Sequence, residues 1–266
     1  MSAWGLCIVR DEIDIVEATM RHYAAQDLDG ILVFDRKSSD GTRELLDDLD
    51  LGECELLVRG WPSEAFYQGE KMTAAQVELA LFGAQWVVPF DCDEIWSAHL
   101  GGPARLDTLG HLLGSQAASV GAVEFRNWTH YRTARDRAGV DPFDEMAWRD
   151  REALPRPFVK VAFRPGPSVR VAMGNHSVSG VTGTTMVSAV ARSDHFPYRS
   201  PEQFIRKVKS GAAALANTTM PYYQGQHWRD YGAMTEDDLR AVYADRYFFD
   251  DPERAGLLFD PVHIAR

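Results

Sequence analysis

The sequence has few cysteines, no long apolar run and no excess of basic residues. Only three of its 266 residues are cysteines, Cys7, Cys54 and Cys92, and their spacing matches no metal-ligand pattern. We interpret them as reduced thiols of the core, which predicts a cytoplasmic protein. No apolar stretch approaches the ~20 residues that a membrane helix needs, and the N-terminus lacks a signal pattern. We therefore expect no transmembrane segment.

The charge balance excludes a further class of partner. The chain has 28 Lys and Arg against 39 Asp and Glu, which gives a net charge of −11. A nucleic-acid-binding protein needs a basic stripe, so we expect no nucleic-acid partner. An anionic ligand would have to be held by a metal ion and a few local cations. A hydrophobic content of 45% suffices for the core of one large domain or of a domain with an appended lobe.

The first third of the chain alternates between two kinds of segment. Short apolar runs at residues 5–9, 31–34, 55–58 and 86–90 are separated by segments with helical periodicity. This alternation predicts an α/β fold with a parallel sheet and crossover helices. Polar or acidic clusters follow Val9, Phe34 and Phe90. Because the carboxyl ends of parallel strands share one edge, the sequence predicts a ligand crevice at that edge.

The segment Asp91-Cys92-Asp93-Glu94 ends the fourth apolar run. Side chains alternate along an extended strand, so Asp91 and Asp93 are expected on the same side, where they suit a hard divalent cation. A solvated strand end, or a helix cap by Asp93, is the alternative. Glu94 either supports the site or is the first-turn acid of a following helix.

Three motifs in this order carry a resemblance. They are Val9-Arg10-Asp11-Glu12, the segment from Val33 to Thr42 with Ser38-Ser39-Asp40-Gly41, and the segment from Trp86 to Glu94. Together they resemble the family 2-type glycosyltransferases, in particular the bacterial subgroup with an Asp-x-Asp-Glu metal motif. A looser similarity continues at residues 174–176 and 194–200.

The resemblance implies a GT-A fold: a Rossmann-like, mostly parallel central sheet with helices on both faces, plus a smaller C-terminal β/α region. Residues 1–104 would form the nucleotide-sugar-binding half, and residues 105–266 the acceptor-side and C-terminal region of the same domain. The implied reaction is an inverting transfer of a sugar from a nucleotide-diphosphate sugar to a small-molecule or glycan acceptor, dependent on Mn²⁺ or Mg²⁺.

The resemblance also implies roles for individual residues. The metal would be bound by Asp91, Asp93 and His176, and the donor nucleotide by Arg10, Glu12, Asp35, Arg36, Lys71 and Asp91. Three of these have ordinary alternatives: Asp35 can begin a turn, Lys71 can be a surface lysine, and His176 can be a structural histidine.

Arg36 stands where many relatives have an aspartate or asparagine. Arginine only donates hydrogen bonds, so an Arg36 that faces the base would put uracil in doubt and make guanine or another base plausible. An Arg36 in solvent is the alternative.

Inverting transfer needs a group that removes the acceptor proton. The usual family aspartate has no clean counterpart here. Asp194 lies at a suitable distance along the chain, and Asp144 and Glu145 in a charged loop are rivals. A nucleotidyltransferase or a metal-dependent phosphohydrolase is the alternative function. A nucleotidyltransferase would need a glycine-rich loop after the first strand. The phosphohydrolase fold normally begins near its Asp-x-Asp motif.

A well-formed helix start is present near the C-terminal end. Ser200 is a typical N-cap residue, followed by Pro201 and by Gln203 at the third position. The periodicity predicts an apolar inward face with Phe204 and Val208. The outward face is expected to have Arg206, Lys207 and Lys209.

Overall fold

The structure, a computed structural model, describes residues 2–63, 65, 67–99, 107–137, 139–156 and 158–264. In this part of the chain, no helix combines the length and apolarity needed to span a membrane. The predicted division between residues 104 and 105 lies outside the described residues.

The N-terminal half alternates strands and helices as predicted. Its elements are β1 (Ala3–Val9), α1 (Val16–Ala24), β2 (Gly30–Asp35), α2 (Thr42–Asp48), β3 (Glu55–Gly60), α3 (Gln68–Leu81) and β4 (Trp86–Asp91). The four strands are parallel and lie in the order β3-β2-β1-β4. The predicted parallel sheet is therefore confirmed for this half of the chain.

The second half extends the same sheet with mostly antiparallel pairings and contains its two longest strands. Its elements are β5 (Glu94–Ala98), α4 (Leu109–Gly114), β6 (Val120–Thr133), α5 (Pro142–Glu145), β7 (Trp148–Arg149), β8 (Lys160–Phe163), β9 (Arg170–Val171), β10 (Val178–Ser179), β11 (Thr184–His195), α6 (Pro201–Ala216), α7 (Gln226–Gly232), α8 (Glu236–Arg246), β12 (Phe248–Phe249) and β13 (Leu258–Phe259). Strand β8 joins β4 to β6, and β11 pairs with both β5 and β6, while β9 and β10 form a separate two-stranded sheet. Glu94 begins a strand, so its reading as a first-turn helix acid is wrong.

Two apolar layers cover the two faces of the sheet. Met20 and Tyr23 of α1 pack with Val33 and Phe90 in one cluster. Met72 and Leu79 of α3 pack in the other, with Trp4, Leu6 and Leu32. Helices therefore lie on both faces, and the predicted α/β architecture is confirmed.

The C-terminal helices form a separate small core. Ser200 caps α6 by accepting a hydrogen bond from the Gln203 N–H at 3.1 Å, as predicted. Phe204 and Val208 of α6 are buried against Leu239 and Tyr243 of α8. This leaves the opposite side of α6 for another surface.

Candidate active site

The carboxyl ends of β1 and β4 lie side by side at a switch point of the sheet. The chain leaves β1 toward β2 and β3, then returns to place β4 on the other side of β1. Ligands bind at such points in open α/β sheets. A cleft of about 430 Å³ opens there, lined by residues that follow both strands and by residues of α6 and α7.

Helix α1 fixes the turn that contains the two aspartates. Three of its buried side chains donate hydrogen bonds to backbone carbonyls of the turn and β5: Thr19 to Cys92 at 2.7 Å, His22 to Trp96 at 2.9 Å and Tyr23 to Glu94 at 3.0 Å. The Tyr23 ring also stacks on Phe90 with centroids 3.6 Å apart. Asp91 and Asp93 therefore project from a rigid base, which favours a preorganised site.

The Asp91 carboxylate accepts hydrogen bonds from three side chains. Its Oδ1 accepts from Gln68 Nε2 at 3.0 Å and from Asn175 Nδ2 at 3.3 Å, and its Oδ2 accepts from Lys160 Nζ at 3.0 Å. These donors come from α3, from the segment after β9 and from β8. Asp91 is thus held in one orientation by parts of the chain that are distant in sequence.

The Asp93 carboxylate is bound by the C-terminal half of the chain. Its Oδ2 accepts a hydrogen bond from Lys207 Nζ on α6 and lies 3.5 Å from His195 Nε2. Burial raises the pKa of Asp93, but the Lys207 ammonium and His195 outweigh burial, so this pKa lies well below its usual range. Asp93 is therefore an anion at neutral pH.

Lys160 is a buried cation between two carboxylates. Its ammonium contacts Asp91 and Glu94, and its side chain is only 2% exposed. Burial raises the pKa of Glu94 to about 7, although Lys160 opposes that rise. The same two carboxylates raise the pKa of Lys160 despite its burial. Lys160 is therefore charged and compensates the negative charge beneath the cleft.

The Gly174-Asn175-His176 segment forms a tight turn beside Asp91. Gly174 and Asn175 both have positive φ, 74° and 58°, a conformation that costs energy for asparagine. A Cβ at residue 174 would lie 2.6 Å from His176 Nε2, so only glycine fits. His176 donates its Nδ1–H to the Val159 carbonyl at 3.0 Å, and burial lowers its pKa to about 4. His176 lines the cleft as a neutral imidazole with Nε2 able to accept.

Arg10 and Glu12, both predicted to contact the nucleotide, line the cleft. The Arg10 Nε lies 3.6 Å from the Asp11 carboxylate. Glu12 pairs with the buried Arg199, and its Oε1 lies 3.8 Å from Lys207 Nζ. Burial raises the pKa of Glu12 and Arg199 opposes that rise. The loop after β1 therefore connects the cleft to α6.

Besides Asp91, three more residues were predicted to contact the nucleotide, and they lie in different places. Arg36 lines the cleft and is 7% exposed, with its guanidinium carbon 5.8 Å from the Trp61 ring centroid, so it is not in solvent. Asp35 is buried and accepts from the Ser38 N–H at 3.2 Å, as a turn aspartate does. Lys71 packs its ammonium 3.9 Å from the Phe34 ring centroid. Of the three, only Arg36 lines the cleft.

Neither predicted catalytic base lies in the cleft. Asp194 is fully buried, with Oδ1 3.0 Å from His130 Nε2 and Oδ2 2.8 Å from Arg192 Nε. Glu145 accepts from Arg137 Nε at 2.9 Å at the surface end of α5. Both carboxylates are hydrogen-bonded to side chains outside the cleft. These positions disfavour a direct catalytic role for Asp194 or Glu145 at the Asp91–Asp93 pair. The identity of the base stays a prediction.

Several residues that line the cleft were not predicted from the sequence. Lys160 lies inside the apolar run from Phe158 to Phe163, and a lysine in such a run is a signal of a buried functional cation. His195 belongs to the segment of looser similarity at residues 194–200, where the sequence gives it no defined role. It reaches Asp93 because it pairs with Glu94 in the β11–β5 register. Further cleft residues without a predicted role lie on α6, on α7 and in the segment before α6, among them Tyr198, Gln203, Arg206, Lys207, His227 and Trp228.

The carboxylate oxygens in the cleft are of the kind that a hard divalent ion such as Mg²⁺ or Mn²⁺ binds. Among the described residues, no three His, Cys, Asp or Glu side chains are gathered closely enough to hold an ion by themselves. The Asp91 carboxylate accepts three hydrogen bonds and its side chain is 29% exposed, whereas the Asp93 side chain is 4% exposed and contacts Lys207 and His195. That Asp93 coordinates the ion directly stays a prediction. Mg²⁺ is commonly held by one or two carboxylates together with substrate phosphates, and these residues fit that arrangement.

Comparison with known proteins gives only distant likenesses. No protein-family model matches the chain, and no curated protein matches its sequence. Among solved structures, the chain is similar to S. aureus TarS 1–349, with 10% identity, a TM-score of 0.45 and coverage of 87% of this chain and 70% of that one. It is also similar to glucosyl-3-phosphoglycerate synthase from Mycobacterium tuberculosis in complex with Mn²⁺, uridine-diphosphate and glucosyl-3-phosphoglycerate. There the identity is 13%, the TM-score 0.37, and the coverage 83% and 81%. At these TM-scores the likenesses carry no weight for function, which rests on the chain's own side chains.

Proposed function

We propose that the protein is a metal-dependent glycosyltransferase that moves a sugar, with inversion, from a nucleoside-diphosphate sugar to a hydroxyl acceptor. One observation carries the proposal: Asp91 and Asp93 lie at the β1–β4 switch point in the same cleft as the cations of Lys160, Lys207 and Arg36. Carboxylates at this point attract a hard divalent ion, and ammonium and guanidinium groups bind phosphate oxygens. The three motifs of the first hundred or so residues support the same reaction.

Each group has a defined part in this proposal. Asp93 would hold Mn²⁺ or Mg²⁺, which when bound would offset the charge that develops on the leaving diphosphate. Lys160 fixes the orientation of Asp91, and Lys207 lies beside Asp93, within reach of a diphosphate there. Arg36 lies at the β2 end of the cleft, where we expect the nucleoside.

The alternative functions have less support. A phosphohydrolase would use the first aspartate, Asp91, as a nucleophile. The Asp91 carboxylate accepts three hydrogen bonds, one of them from the Lys160 ammonium, and these reduce the negative charge available for nucleophilic attack. A nucleotidyltransferase would need a flexible glycine-rich loop after β1. Residues 10–15 contain no glycine, and Asp11 accepts from the Ser39 N–H at 2.7 Å, which fixes this loop.

The cytoplasmic location is part of the same proposal. Cys7, Cys54 and Cys92 are all free and buried, as expected of reduced core thiols. Nucleotide-diphosphate sugars are therefore the donors to test first, with small molecules or glycans as acceptors.

The test is a titration of uridine, thymidine and guanosine diphosphates into EDTA-treated protein, repeated with Mn²⁺. We expect Mn²⁺ to strengthen binding of at least one nucleotide tenfold or more, and Asp93→Asn to lose most of that gain. Asp48→Asn, which removes an exposed carboxylate of α2, is the matched control. Equal affinity with and without Mn²⁺, or no nucleotide binding at all, would refute the proposal.

A further inference from the structure

The two sides of the cleft differ in charge. All four carboxylates among the described residues that line it, Asp11, Glu12, Asp91 and Asp93, come from the N-terminal half of the chain. The part of the lining that comes from residue 160 onward has no carboxylate. It has three cations and three histidines: Lys160, Arg206, Lys207, His176, His195 and His227. This side, here called the basic wall, has cations and no carboxylate, which in a chain of net charge −11 indicates an anionic ligand.

Two of these cations are already compensated. Lys160 pairs with Asp91 and Glu94, and Lys207 pairs with Asp93. Arg206 is exposed and forms no ion pair within the described ranges. Its charge acts on Asp14, whose carboxylate is hydrogen-bonded to Arg199. Of the three cations of the basic wall, Arg206 is therefore the one whose charge is available to a ligand.

Helix α6 presents a polar stripe to the cleft. Its cleft-lining residues up to Gly211 recur at helical spacing: Gln203, Arg206, Lys207, Ser210 and Gly211. Leu215, one turn further along α6, adds an apolar residue to the lining. The contact between Lys207 and Asp93 fixes this stripe beside the end of β4, whereas Arg36 follows β2 on the other side of β1. A second substrate would therefore meet Arg206 and Ser210 as it approaches the sugar.

An aromatic surface lies next to the stripe. A Cβ at Gly211 would lie 2.7 Å from a ring carbon of Trp228, so the absence of a side chain at Gly211 allows the indole to pack on the α6 backbone. His227, the neighbouring residue on α7, also lines the cleft. His227 is exposed, but its surroundings desolvate it in part and lower its pKa, so at neutral pH it is an uncharged imidazole that can donate one hydrogen bond. This combination of a cation, a hydroxyl, an imidazole and an indole suits a small polar molecule with one acidic group.

We propose that this wall is the acceptor subsite and that it selects a hydroxyl acceptor with a phosphate or carboxylate group, bound by Arg206 and His227. The inference rests on the proposed glycosyl transfer and adds the class of acceptor. Charge-assisted hydrogen bonds from a guanidinium are strong and directional, so a neutral acceptor of the same shape would be bound more weakly.

The experiment compares three probes of similar shape and different charge: glycerol 3-phosphate, glycerate and glycerol. Each is titrated into protein saturated with Mn²⁺ and the nucleoside diphosphate that binds most tightly. We expect glycerol 3-phosphate or glycerate to bind at least tenfold more tightly than glycerol, and the ranking of the two shows which acidic group is preferred. Arg206→Gln should remove at least tenfold of that affinity, and Arg206→Lys should restore part of it.

Two controls separate this inference from the function on which it rests. Arg240→Gln removes a cation from the exposed face of α8, and we expect it to change nothing. Arg206→Gln should leave nucleoside-diphosphate affinity within twofold of wild type. If Arg206→Gln weakens nucleotide binding as much as probe binding, the basic wall serves the donor and the acceptor inference is overturned. Equal binding of the three probes, or no binding of any, also overturns it, with donor binding intact. Failure of every nucleotide to bind would instead refute the proposed function.

Discussion

Lys207 on α6 donates a hydrogen bond to the same Asp93 oxygen that lies 3.5 Å from His195. This contact connects residues 114 positions apart and closes α6 onto the end of β4. A divalent ion bound to this oxygen would compete with the ammonium, because two cations cannot both bind it closely.

Replacing Lys207 should therefore strengthen metal binding in the absence of nucleotide. We expect Lys207→Met to tighten Mn²⁺ binding about tenfold, or ~1.4 kcal/mol, because a competing cation is removed. Free Mn²⁺ can be measured by electron paramagnetic resonance during a titration. Lys209→Met is the control on the same helix, since Lys209 contacts backbone carbonyls of residues 232 and 234 instead of Asp93. Unchanged or weaker Mn²⁺ binding in Lys207→Met would show that Asp93 is not the metal ligand.

The buried pair of Lys160 and Glu94 should be strongly coupled. Lys160→Met leaves Glu94 and Asp91 without their buried cation, which is expected to cost about 3–5 kcal/mol of the free energy of unfolding. Adding Glu94→Gln removes one uncompensated carboxylate, so the double variant should be more stable than Lys160→Met alone. Urea denaturation of the wild type, the two single variants and the double variant gives the coupling energy.

The surface pair of Arg135 and Glu253 offers a matched control for that cycle. Its two side chains are 50% and 55% exposed, and ion pairs exposed to solvent on both sides contribute little to stability. A coupling energy for Lys160 and Glu94 no larger than that of the surface pair would contradict the prediction.

The N-terminal half of the fold could be predicted because its signals are local. Strands β1 to β4 are short apolar runs, and polar or acidic clusters follow β1, β2 and β4, so the sheet edge and the Asp91–Asp93 pair follow from sequence alone. The element that follows β4 could not be predicted from the local sequence. Glu94 begins β5 because it pairs with His195 on β11, a contact across 101 residues with no trace in the local sequence.

The C-terminal side of the cleft shows where sequence patterns stop. The helix start at Ser200 and its buried face were predicted correctly from spacing. The same spacing placed Lys207 outward, which is right for the helix alone. Whether an outward face meets solvent or another part of the fold depends on tertiary packing, and here it meets Asp93. Asp194 is the opposite case, a residue predicted to face the site that does not. Its position along the chain suggests a catalytic base, but on β11 its carboxylate contacts His130.

Arg36 should influence which nucleobase is bound. Its guanidinium lines the cleft near Trp61 and donates hydrogen bonds only, so it favours bases with carbonyl or ring-nitrogen acceptors. We expect Arg36→Asp to change the ranking of uridine, thymidine and guanosine diphosphates by at least tenfold in one affinity ratio. Lys37→Asp, at the exposed neighbouring position, is the control. An unchanged ranking in Arg36→Asp would show that this residue does not face the base.

Stability at acidic pH should depend on His22. Burial lowers its pKa to about 4, although the hydrogen bond to the Trp96 carbonyl opposes that shift, while an unfolded histidine has a pKa near 6.5. The unfolded state therefore binds more protons between these values. The free energy of unfolding falls as the pH drops below about 6.5, by about 2 kcal/mol at pH 5, and this loss levels off below about pH 4.

His22→Gln keeps a hydrogen-bond donor near the Trp96 carbonyl but cannot be protonated. We expect this variant to be less stable than wild type at pH 7.5, because the amide fills the site less well, and to lose less stability between pH 7.5 and pH 5. Urea denaturation at both pH values measures the difference, and His111→Gln, at an exposed position on α4, is the control. If His22→Gln loses as much stability as wild type over this range, the acid sensitivity arises elsewhere. A buried neutral imidazole in α1 would then not limit the stability of the turn that positions Asp91 and Asp93.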